Sequence, residues 1–351
     1  MGGHSSFNND WRCQPDDPGS WIGEEIDHKY KLVRLVGRGG FAYVYQATHQ
    51  FIGASCAVKI IHALPQFQAR SWPPRVPEGL IDSLPLDSFS NHLKSMERFK
   101  REARILHELR HPHIVAFRDA GAFTTFVDTG TEMEKMDDPY IGNEYVCPYL
   151  VTEFVDGVSL DKLLGQEGSL RSSLVQSIGV AVASALAEAH RHGILHRDIK
   201  PQNIMLARLD GRRSSVRVLD FGIASFLSSL GGNGDSPDKL TTTGTVIGTP
   251  LYMSPEQMVG RDLDQRSDLY SLGLTLVEML CGRLPDPGPS QASLYEAKQT
   301  RWGEDILTDL GALRPSIPQA LRDALAACIL PEPDQRPKGA DEFLRALRIS
   351  T

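Results

Sequence analysis

Cysteine is scarce in this sequence, and no two cysteines have the spacing of a zinc ribbon or a disulfide framework. The five residues are Cys13, Cys56, Cys147, Cys281 and Cys328, with no Cys-x-x-Cys pair among them. Structural zinc sites and small secreted scaffolds both depend on closely spaced or dense cysteines. We therefore expect reduced thiols and a cytoplasmic protein.

An excess of positive charge is also missing. Lysine and arginine number 37 against 44 aspartate and glutamate residues, which gives a formal net charge of -7 and a pI near 5.9. Proteins that bind nucleic acid or anionic membrane surfaces carry a basic patch or stripe. We therefore expect a solvated acidic surface and no nucleic-acid partner.

Long apolar runs are absent as well. A membrane helix needs about 18 or more consecutive apolar residues, and a secretory signal needs a basic start followed by an apolar stretch. Residues 1–10 have neither feature, and the best candidate, residues 173–189, contains Gln176 and Glu188. We expect a buried helix there and no membrane segment in this chain.

Three stretches of the sequence lack helical or strand periodicity. Residues 1–27 are polar and are expected to form a flexible leader, although Trp21 could dock on a folded surface. Residues 64–93 contain five prolines, and residues 123–147 mix acidic residues with glycine. We expect both to be insertions, which either carry docking surfaces or are neutral, because surface loops tolerate added length.

Regular secondary structure changes character along the chain. Short β-rich runs are predicted at residues 31–36, 41–48, 54–61 and 148–155. Apolar residues at helical spacing follow at residues 96–109, 172–190, 267–280, 320–329 and 340–347. At 351 residues, the chain is long enough for a two-lobed domain, β-rich first and α-rich afterwards.

A glycine-rich turn joins two of the predicted strands. It reads Gly37-Arg38-Gly39-Gly40-Phe41-Ala42-Tyr43-Val44. Glycine allows backbone N–H groups to approach a polyphosphate closely. By itself the turn fits a flexible hairpin equally well, and it is not a dinucleotide-binding fingerprint because no helix follows it.

A lysine and a glutamate follow this turn in an informative order. Lys59 lies among apolar residues of the next strand, where a charged group needs an anionic partner, and Glu102 on the following predicted helix can supply it. Either residue alone fits an exposed charge. The order in which they occur, a glycine turn followed by a strand lysine and then a helix glutamate, favours a nucleotide-binding site.

The most specific signal is a pair of motifs. The first reads His196-Arg197-Asp198-Ile199-Lys200-Pro201-Gln202-Asn203, and the second, after a short strand-like run, reads Asp220-Phe221-Gly222. Together they resemble the catalytic domain of eukaryotic-like (Hanks-type) serine/threonine protein kinases, with most similarity to bacterial members.

This resemblance implies an α+β fold with two lobes. The catalytic domain is expected at residues 28–350, and its small antiparallel β-rich lobe, with one key helix and the two insertions, at residues 28–155. The larger, mainly helical lobe is expected at residues 156–350. The family binds ATP with Mg²⁺, and Mn²⁺ is a possible substitute.

The resemblance also implies roles for individual residues. Asp198 matches the catalytic base, Lys200 the γ-phosphate contact, and Lys59 paired to Glu102 the α/β-phosphate contact. Asn203 and Asp220 match the metal ligands. The implied nucleotide contacts are Val36, Gly37, Gly39, Val44, Ala57, Lys59, Glu153, Val155, Asn203 and Asp220. Ala42 replaces the third glycine of the family's turn.

An activation segment is implied between Asp220 and Glu256. Arg197 would supply a basic pocket for a phosphorylated residue of this segment, with four candidates: Thr241, Thr242, Thr243 and Thr245. The alternative is a polar loop without regulatory phosphorylation. Three further residues would position structure or substrate, and they are Thr249, Asp268 and Arg336, the last paired with Glu256.

The sequence features bear on three candidate functions. Lys200 and Gly248-Thr249-Pro250 match kinases that act on protein serine and threonine hydroxyls, with autophosphorylation and a role in signalling. A pseudokinase scaffold is the alternative from another class, but such modules commonly lose one of the residues that are all present here. A small-molecule phosphotransferase is disfavoured by Glu256 and Thr249. A monomer or transient dimer is expected.

Overall fold

The computed structural model describes residues 17–39, 42–61, 97, 99–101, 103–126, 144–209, 213–221, 250–286, 288 and 290–349. The chain divides into two compact units. The first unit comprises residues 1–103 and 117–154, and the second comprises residues 104–116 and 155–351.

The first unit is built on an antiparallel sheet of six described strands. They are β1 (Glu25–Ile26), β2 (Tyr30–Arg38), β3 (Ala42–His49), β4 (Ser55–Ile61), β5 (Phe117–Phe126) and β6 (Glu144–Glu153). The order across the sheet is β1-β2-β3-β4-β6-β5. One face is closed by aromatic and β-branched side chains, including Tyr43, Tyr45, Val58, Ile60 and Tyr149. Aromatic and β-branched residues favour strands because they pack well on a pleated surface with one buried face.

The described end of the expected leader is part of the fold. Asp17 caps a 3₁₀ turn, Pro18–Trp21, by accepting the backbone N–H of Gly19 at 2.9 Å. Trp21 is fully buried and meets Phe123 edge to face, with ring centroids 5.5 Å apart. The predicted flexible leader therefore does not extend to residue 27, because burial of the Trp21 ring ties residues 17–27 to the sheet.

The insertion expected at residues 123–147 is shorter than predicted. Strands β5 and β6 continue into it, with Phe123 opposite Cys147 and Phe126 opposite Glu144. Strand formation depends on cross-strand partners, so a segment without strand periodicity of its own can still pair. Residues 127–143 and the expected insertion at residues 64–93 lie outside the described part of the chain.

The second unit is mainly helical. Its described helices are α1 (Leu160–Glu167), α2 (Ser172–Arg191), α3 (Pro255–Met258), α4 (Gln265–Cys281), α5 (Gln291–Gln299), α6 (Trp302–Leu313), α7 (Gln319–Cys328) and α8 (Ala340–Ile349). Helix α4 lies at the centre and is buried on nearly all sides. A Cβ atom at Gly273 would lie 2.8 Å from Cys328 Cβ, so glycine permits the close approach of α4 to α7.

A small sheet in the second unit carries the motif residues. It has three described strands in the order β7 (Gly157–Ser159), β8 (Ile204–Leu209) and β9 (Arg213–Val218). The backbone N–H of Val115 donates to Val218 O at 3.0 Å, and Ile114 is buried in the core of this unit. Residues 104–116 therefore belong to the second unit, whereas the sequence placed them in the first lobe.

One described helix, α2, is long and apolar enough to cross a membrane by length and composition. Most of this segment is buried, and its apolar residues form part of the core of the second unit. Its contacts are those of a core helix, as the sequence predicts.

Candidate active site

In the first unit, the glycine turn closes the hairpin between β2 and β3. Gly37 lies opposite Val44, and the backbone N–H of Gly39 donates to Ala42 O at 2.9 Å. Gly40 and Phe41 lie outside the described residues. The strand pairing shifts register between Leu35 and Gly37, and the described ends of the turn place glycine where a polyphosphate would require close backbone approach.

Several predicted nucleotide contacts share one face of this sheet. Val44 of β3 lies opposite Lys59 of β4, and Ala57 of β4 lies opposite Gln46 on the same face. These four residues are half-buried, whereas Tyr43 and Val58 point into the core on the opposite face. Directly opposed residues of an antiparallel pair project to the same side. The register therefore gathers Gly37, Val44, Ala57 and Lys59 on one half-exposed surface.

The remaining predicted contacts of this group lie at the ends of strands. Val36 is near the end of β2 and is 37% exposed, and Glu153 is the last residue of β6, opposite Cys56. Val155 follows two residues later in the second unit.

In the second unit, a buried carboxylate fixes the loop that contains the first motif. Asp268 accepts the backbone N–H groups of His196 and Arg197, each at 2.8 Å, and the ring of His190 lies 2.8 Å from the same carboxylate. Burial would raise the pKa of Asp268, but the hydrogen bond and charge of His190 and the contacts to His196 outweigh it and lower the pKa. An ionised Asp268 therefore holds this loop from helix α4.

His196 connects the two motifs. Its Nε2 atom lies 2.7 Å from Leu219 O, its Nδ1 atom accepts the backbone N–H of Asp198, and its ring meets Phe221 edge to face at 4.6 Å. These roles require the neutral tautomer with the proton on Nε2. The ring is fully buried, so it sets the position of Asp198 relative to the residues before Asp220.

Asp198 lies within a compact set of polar groups. Lys200 Nζ lies 2.8 Å from Asp198 Oδ2, and Asn203 Nδ2 donates to Asp198 Oδ2 at 2.8 Å and to its backbone carbonyl at 2.7 Å. Among the described residues, both side-chain contacts of this carboxylate fall on Oδ2. Oδ2 is therefore the oxygen that both neighbouring side chains hold.

The oxygen donors of Asn203 and Asp220 fit a magnesium ion. Because the amide nitrogen of Asn203 donates to Asp198, its side-chain oxygen is the atom left to bind a cation. Asp220 adds a carboxylate, and its φ of 63° is uncommon for a residue other than glycine. Hard carboxylate and amide oxygens are the protein ligands that Mg²⁺ takes. Strained backbone of this kind persists at functional sites.

The expected pair of Glu256 and Arg336 is present and buried. The two guanidinium nitrogens of Arg336 lie 2.7 and 2.9 Å from the two carboxylate oxygens of Glu256, and Ser267 Oγ donates to the same carboxylate at 2.7 Å. Burial acts to raise the pKa of Glu256, but the hydrogen bond and charge of Arg336 lower it overall. This bidentate contact ties helix α3 to the large core.

Some of the predicted residues lie outside the described part of the chain. They are Glu102, Thr241, Thr242, Thr243, Thr245 and Thr249.

The structure also adds site residues that were not predicted from the sequence. His190 contacts Asp268, and Gln257 Nε2 donates to the carbonyl of Arg197 at 2.8 Å. No sequence motif pointed to His190 or Gln257, whereas His196, which links the two motifs, is the first residue of the motif that contains Asp198.

With this geometry in place, the comparisons with known proteins identify the family. The sequence matches the protein kinase domain over residues 85–346, more than half of the chain. The chain belongs to the protein kinase family. The matched range contains both motifs, whereas the glycine turn and Lys59 precede it.

Curated relatives extend the similarity over nearly the whole chain. A probable serine/threonine-protein kinase PknB of Lactococcus lactis is 30% identical over 94% of this chain and 43% of its own length. Serine/threonine-protein kinase Pkn1 of Myxococcus xanthus is 32% identical over 92% of this chain and 38% of its own length. The chain spans about two fifths of the length of these relatives.

Solved structures share the fold. The PknI kinase domain of Mycobacterium tuberculosis has a TM-score of 0.56 at 23% identity, covering 94% of this chain and 98% of its own. Rad53 residues 1–466 in complex with AMP-PNP has a TM-score of 0.62 at 24% identity, covering 90% of this chain and 64% of its own. The protein kinase fold predicted from the motifs is confirmed.

Proposed function

We propose that this chain is an ATP-dependent serine/threonine protein kinase that transfers the γ-phosphoryl group to protein hydroxyls. The observation that carries the proposal is the arrangement around Asp198, where Lys200 and Asn203 both contact the carboxylate at 2.8 Å. A carboxylate next to a lysine and an amide on one fixed loop can orient a hydroxyl and balance phosphate charge.

In this mechanism Asp198 orients the acceptor hydroxyl and accepts its proton, while Lys200 neutralises charge on the transferred group. Asn203 and Asp220 would hold Mg²⁺, which supplies electrostatic stabilisation of the phosphates when it is bound. Phosphoryl transfer depends on positioning and charge stabilisation more than on covalent chemistry. The buried anchor at Asp268 therefore contributes by keeping the loop in place.

The resemblance also assigns nucleotide contacts to residues of the first unit. Lys59 on the half-exposed face of the sheet would contact the α- and β-phosphates, with Glu102 as its partner. Gly37 and Gly39 would cover the phosphates, and the backbone at Glu153 and Val155 would hold the adenine.

The proposed acceptor is a serine or threonine of a protein. Lys200 supports this class, and Thr249 would help to place the hydroxyl. We further propose that the kinase phosphorylates itself within residues 241–245 and acts in signalling. Its proposed location is the cytoplasm, where ATP is abundant. The reaction would use Mg²⁺, with Mn²⁺ as a possible substitute.

The rival function is a nucleotide-binding scaffold without transfer. A scaffold has no need to keep both Asp198 and its two contacts intact, and the described loop retains all three residues. Their joint presence on one loop therefore argues for catalysis.

The test is transfer of label from γ-labelled ATP by the purified chain in Mg²⁺ buffer, beside Asp198→Asn. Mass spectrometry then locates the label. We expect phosphate on threonines between 241 and 245 and on an added protein acceptor, with both lost in Asp198→Asn. Absence of transfer by a folded, ATP-binding wild type would support the scaffold instead.

A further inference from the structure

A buried lysine outside the catalytic loop contacts the segment that precedes helix α3. Lys298 on α5 is 2% exposed, and its Nζ atom donates to Leu251 O and Met253 O, both at 2.7 Å. Lysine is almost never fully buried unless its charge is paired. Its location therefore requires an explanation beyond packing.

Two aromatic rings lie close to the side-chain nitrogen of Lys298. The ring centroids of Tyr270 and Trp302 lie 4.9 and 4.5 Å from Nζ, within the range of cation–π attraction. Burial lowers the pKa of Lys298 well below its usual value, the nearby Arg336 adds to this, and Glu256 acts in the opposite direction. Burial of this lysine is therefore costly in itself, and its two carbonyl acceptors and two aromatic rings offset part of that cost.

The contacts of Lys298 complete a continuous anchor of the backbone. The carbonyls of Leu251 and Met253 accept from Lys298, and the intervening carbonyl of Tyr252 accepts from Ser271 Oγ at 2.8 Å. Three successive carbonyls are therefore fixed by side chains from helices α4 and α5. The segment cannot shift without leaving buried polar groups unsatisfied.

The same aromatic ring braces both ends of this segment. Arg336, which holds Glu256, lies 4.7 Å from the centre of the Tyr270 ring, and Lys298 lies 4.9 Å from it. Arg336 fixes the carboxylate of Glu256, and Lys298 fixes the carbonyls of Leu251 and Met253. Tyr270 thus couples the two anchors at the core of the second unit.

We propose that Lys298 is a positioning residue for the protein acceptor, acting through the backbone of residues 250–253. The inference rests on the proposed function, because these residues directly follow Gly248-Thr249, the segment in which the resemblance implies recognition of the acceptor. Lys298 acts through the segment and does not touch the transferred phosphate.

The experiment compares the full chain with Lys298→Met, which keeps the length of the side chain and removes its donors and charge. Lys338→Met is the matched control, because Lys338 is exposed. Initial rates are measured with dephosphorylated casein as acceptor, varying casein and ATP separately. Thermal unfolding of all three proteins checks folding, and hydrogen exchange follows the backbone amides of residues 251–254.

For Lys298→Met we expect kcat/KM for casein to fall at least about tenfold, while the KM for ATP changes by less than about twofold. Exchange at residues 251–254 should rise more than in the rest of the second unit. Lys338→Met should resemble wild type in both measurements.

Parallel changes in the parameters for casein and ATP, or unchanged exchange at residues 251–254, would overturn the inference and leave Lys298 a general structural residue. If Lys298→Met does not fold, Lys298→Gln, which is shorter and uncharged, is measured instead: a fall in kcat/KM for casein alone with faster exchange at residues 251–254 supports the inference, and unchanged kinetics and exchange overturn it. If wild type transfers no phosphate, the proposed function fails, and the exchange measurement alone decides whether Lys298 fixes the segment.

Discussion

Asp268 Oδ1 accepts the backbone N–H of Arg197 at 2.8 Å, and Arg197 has a φ of 64°, a conformation that few residues other than glycine adopt. The buried carboxylate thus stabilises a strained backbone directly before Asp198. Strain of this kind persists only where the surrounding structure holds it.

The Asp268→Asn variant tests this anchor. An amide cannot accept both backbone N–H groups and the contact to His190 equally well, so the loop should loosen and Asp198 should shift. We expect phosphate transfer to fall by about 100-fold, since displacements near 1 Å can have that effect. Steady-state kinetics with Asp262→Asn, an exposed site, as control will measure this. Near-normal transfer would show that the loop does not depend on Asp268.

The Asp220→Asn variant tests the proposed metal site. Asparagine also tolerates the left-handed backbone, so the backbone at residue 220 should keep its φ of 63° while a ligand charge is lost. We expect the Mg²⁺ concentration for half-maximal transfer to rise and the maximal rate to fall by at least about 100-fold. A Mg²⁺ titration of the rate is the measurement. An unchanged Mg²⁺ dependence would argue against ligation by Asp220.

The pair of Glu256 and Arg336 predicts a dependence of stability on pH. Burial acts to raise the pKa of Glu256, but the hydrogen bond and charge of Arg336 outweigh it. The pKa in the folded protein is therefore lower than the usual value of 4.5. The stabilisation is therefore fully present above about pH 4.5 and is lost as the pH falls through the lower, folded pKa.

The Glu256→Gln variant checks this sign. At pH 7 it should lower the free energy of unfolding by about 3–5 kcal/mol, because Arg336 would keep a buried charge without its partner. Since protonation removes the same charge from wild type, the difference between the two should shrink below pH 4.5. Denaturant unfolding across the pH range measures it, and a difference that stays constant in acid contradicts the assignment.

The Gln257→Leu variant tests the hydrogen bond between the Gln257 side chain and the carbonyl of Arg197. The Gln257 Nε2 atom donates to this oxygen at 2.8 Å, so Gln257→Leu should leave a partly buried acceptor unsatisfied. We expect a loss of about 1–3 kcal/mol in stability and slower phosphate transfer. Thermal unfolding and kinetics are measured beside Gln291→Leu at an exposed position. Equal effects in the two variants would show that the contact has no special role.

The sequence predicted the elements whose pattern is local. The runs at residues 31–36 and 54–61 became β2 and β4, because alternating apolar residues require a half-buried strand wherever they pack. The helices expected at residues 172–190 and 267–280 are α2 and α4. Helices α1, α5 and α6 were not predicted from the sequence.

The motif residues were also identified from sequence, because their spacing is short and specific. Asp198, Lys200 and Asn203 lie within six residues of one another, so one loop brings them together. Their catalytic roles stay a prediction until transfer is measured. The predicted leader was too long because nothing in residues 17–27 shows that Trp21 is covered by Phe123.

The sequence by itself determined the succession of a β-rich part and an α-rich part, the two motifs and the family to which they belong. Only the tertiary structure decided that Asp268 holds a loop 72 residues away and that Lys298 is buried against carbonyls 45 and 47 residues earlier. Burial and hydrogen bonding between distant segments depend on how helices pack, and a local pattern does not encode which partners meet. The anchors of the site therefore appeared only with the fold.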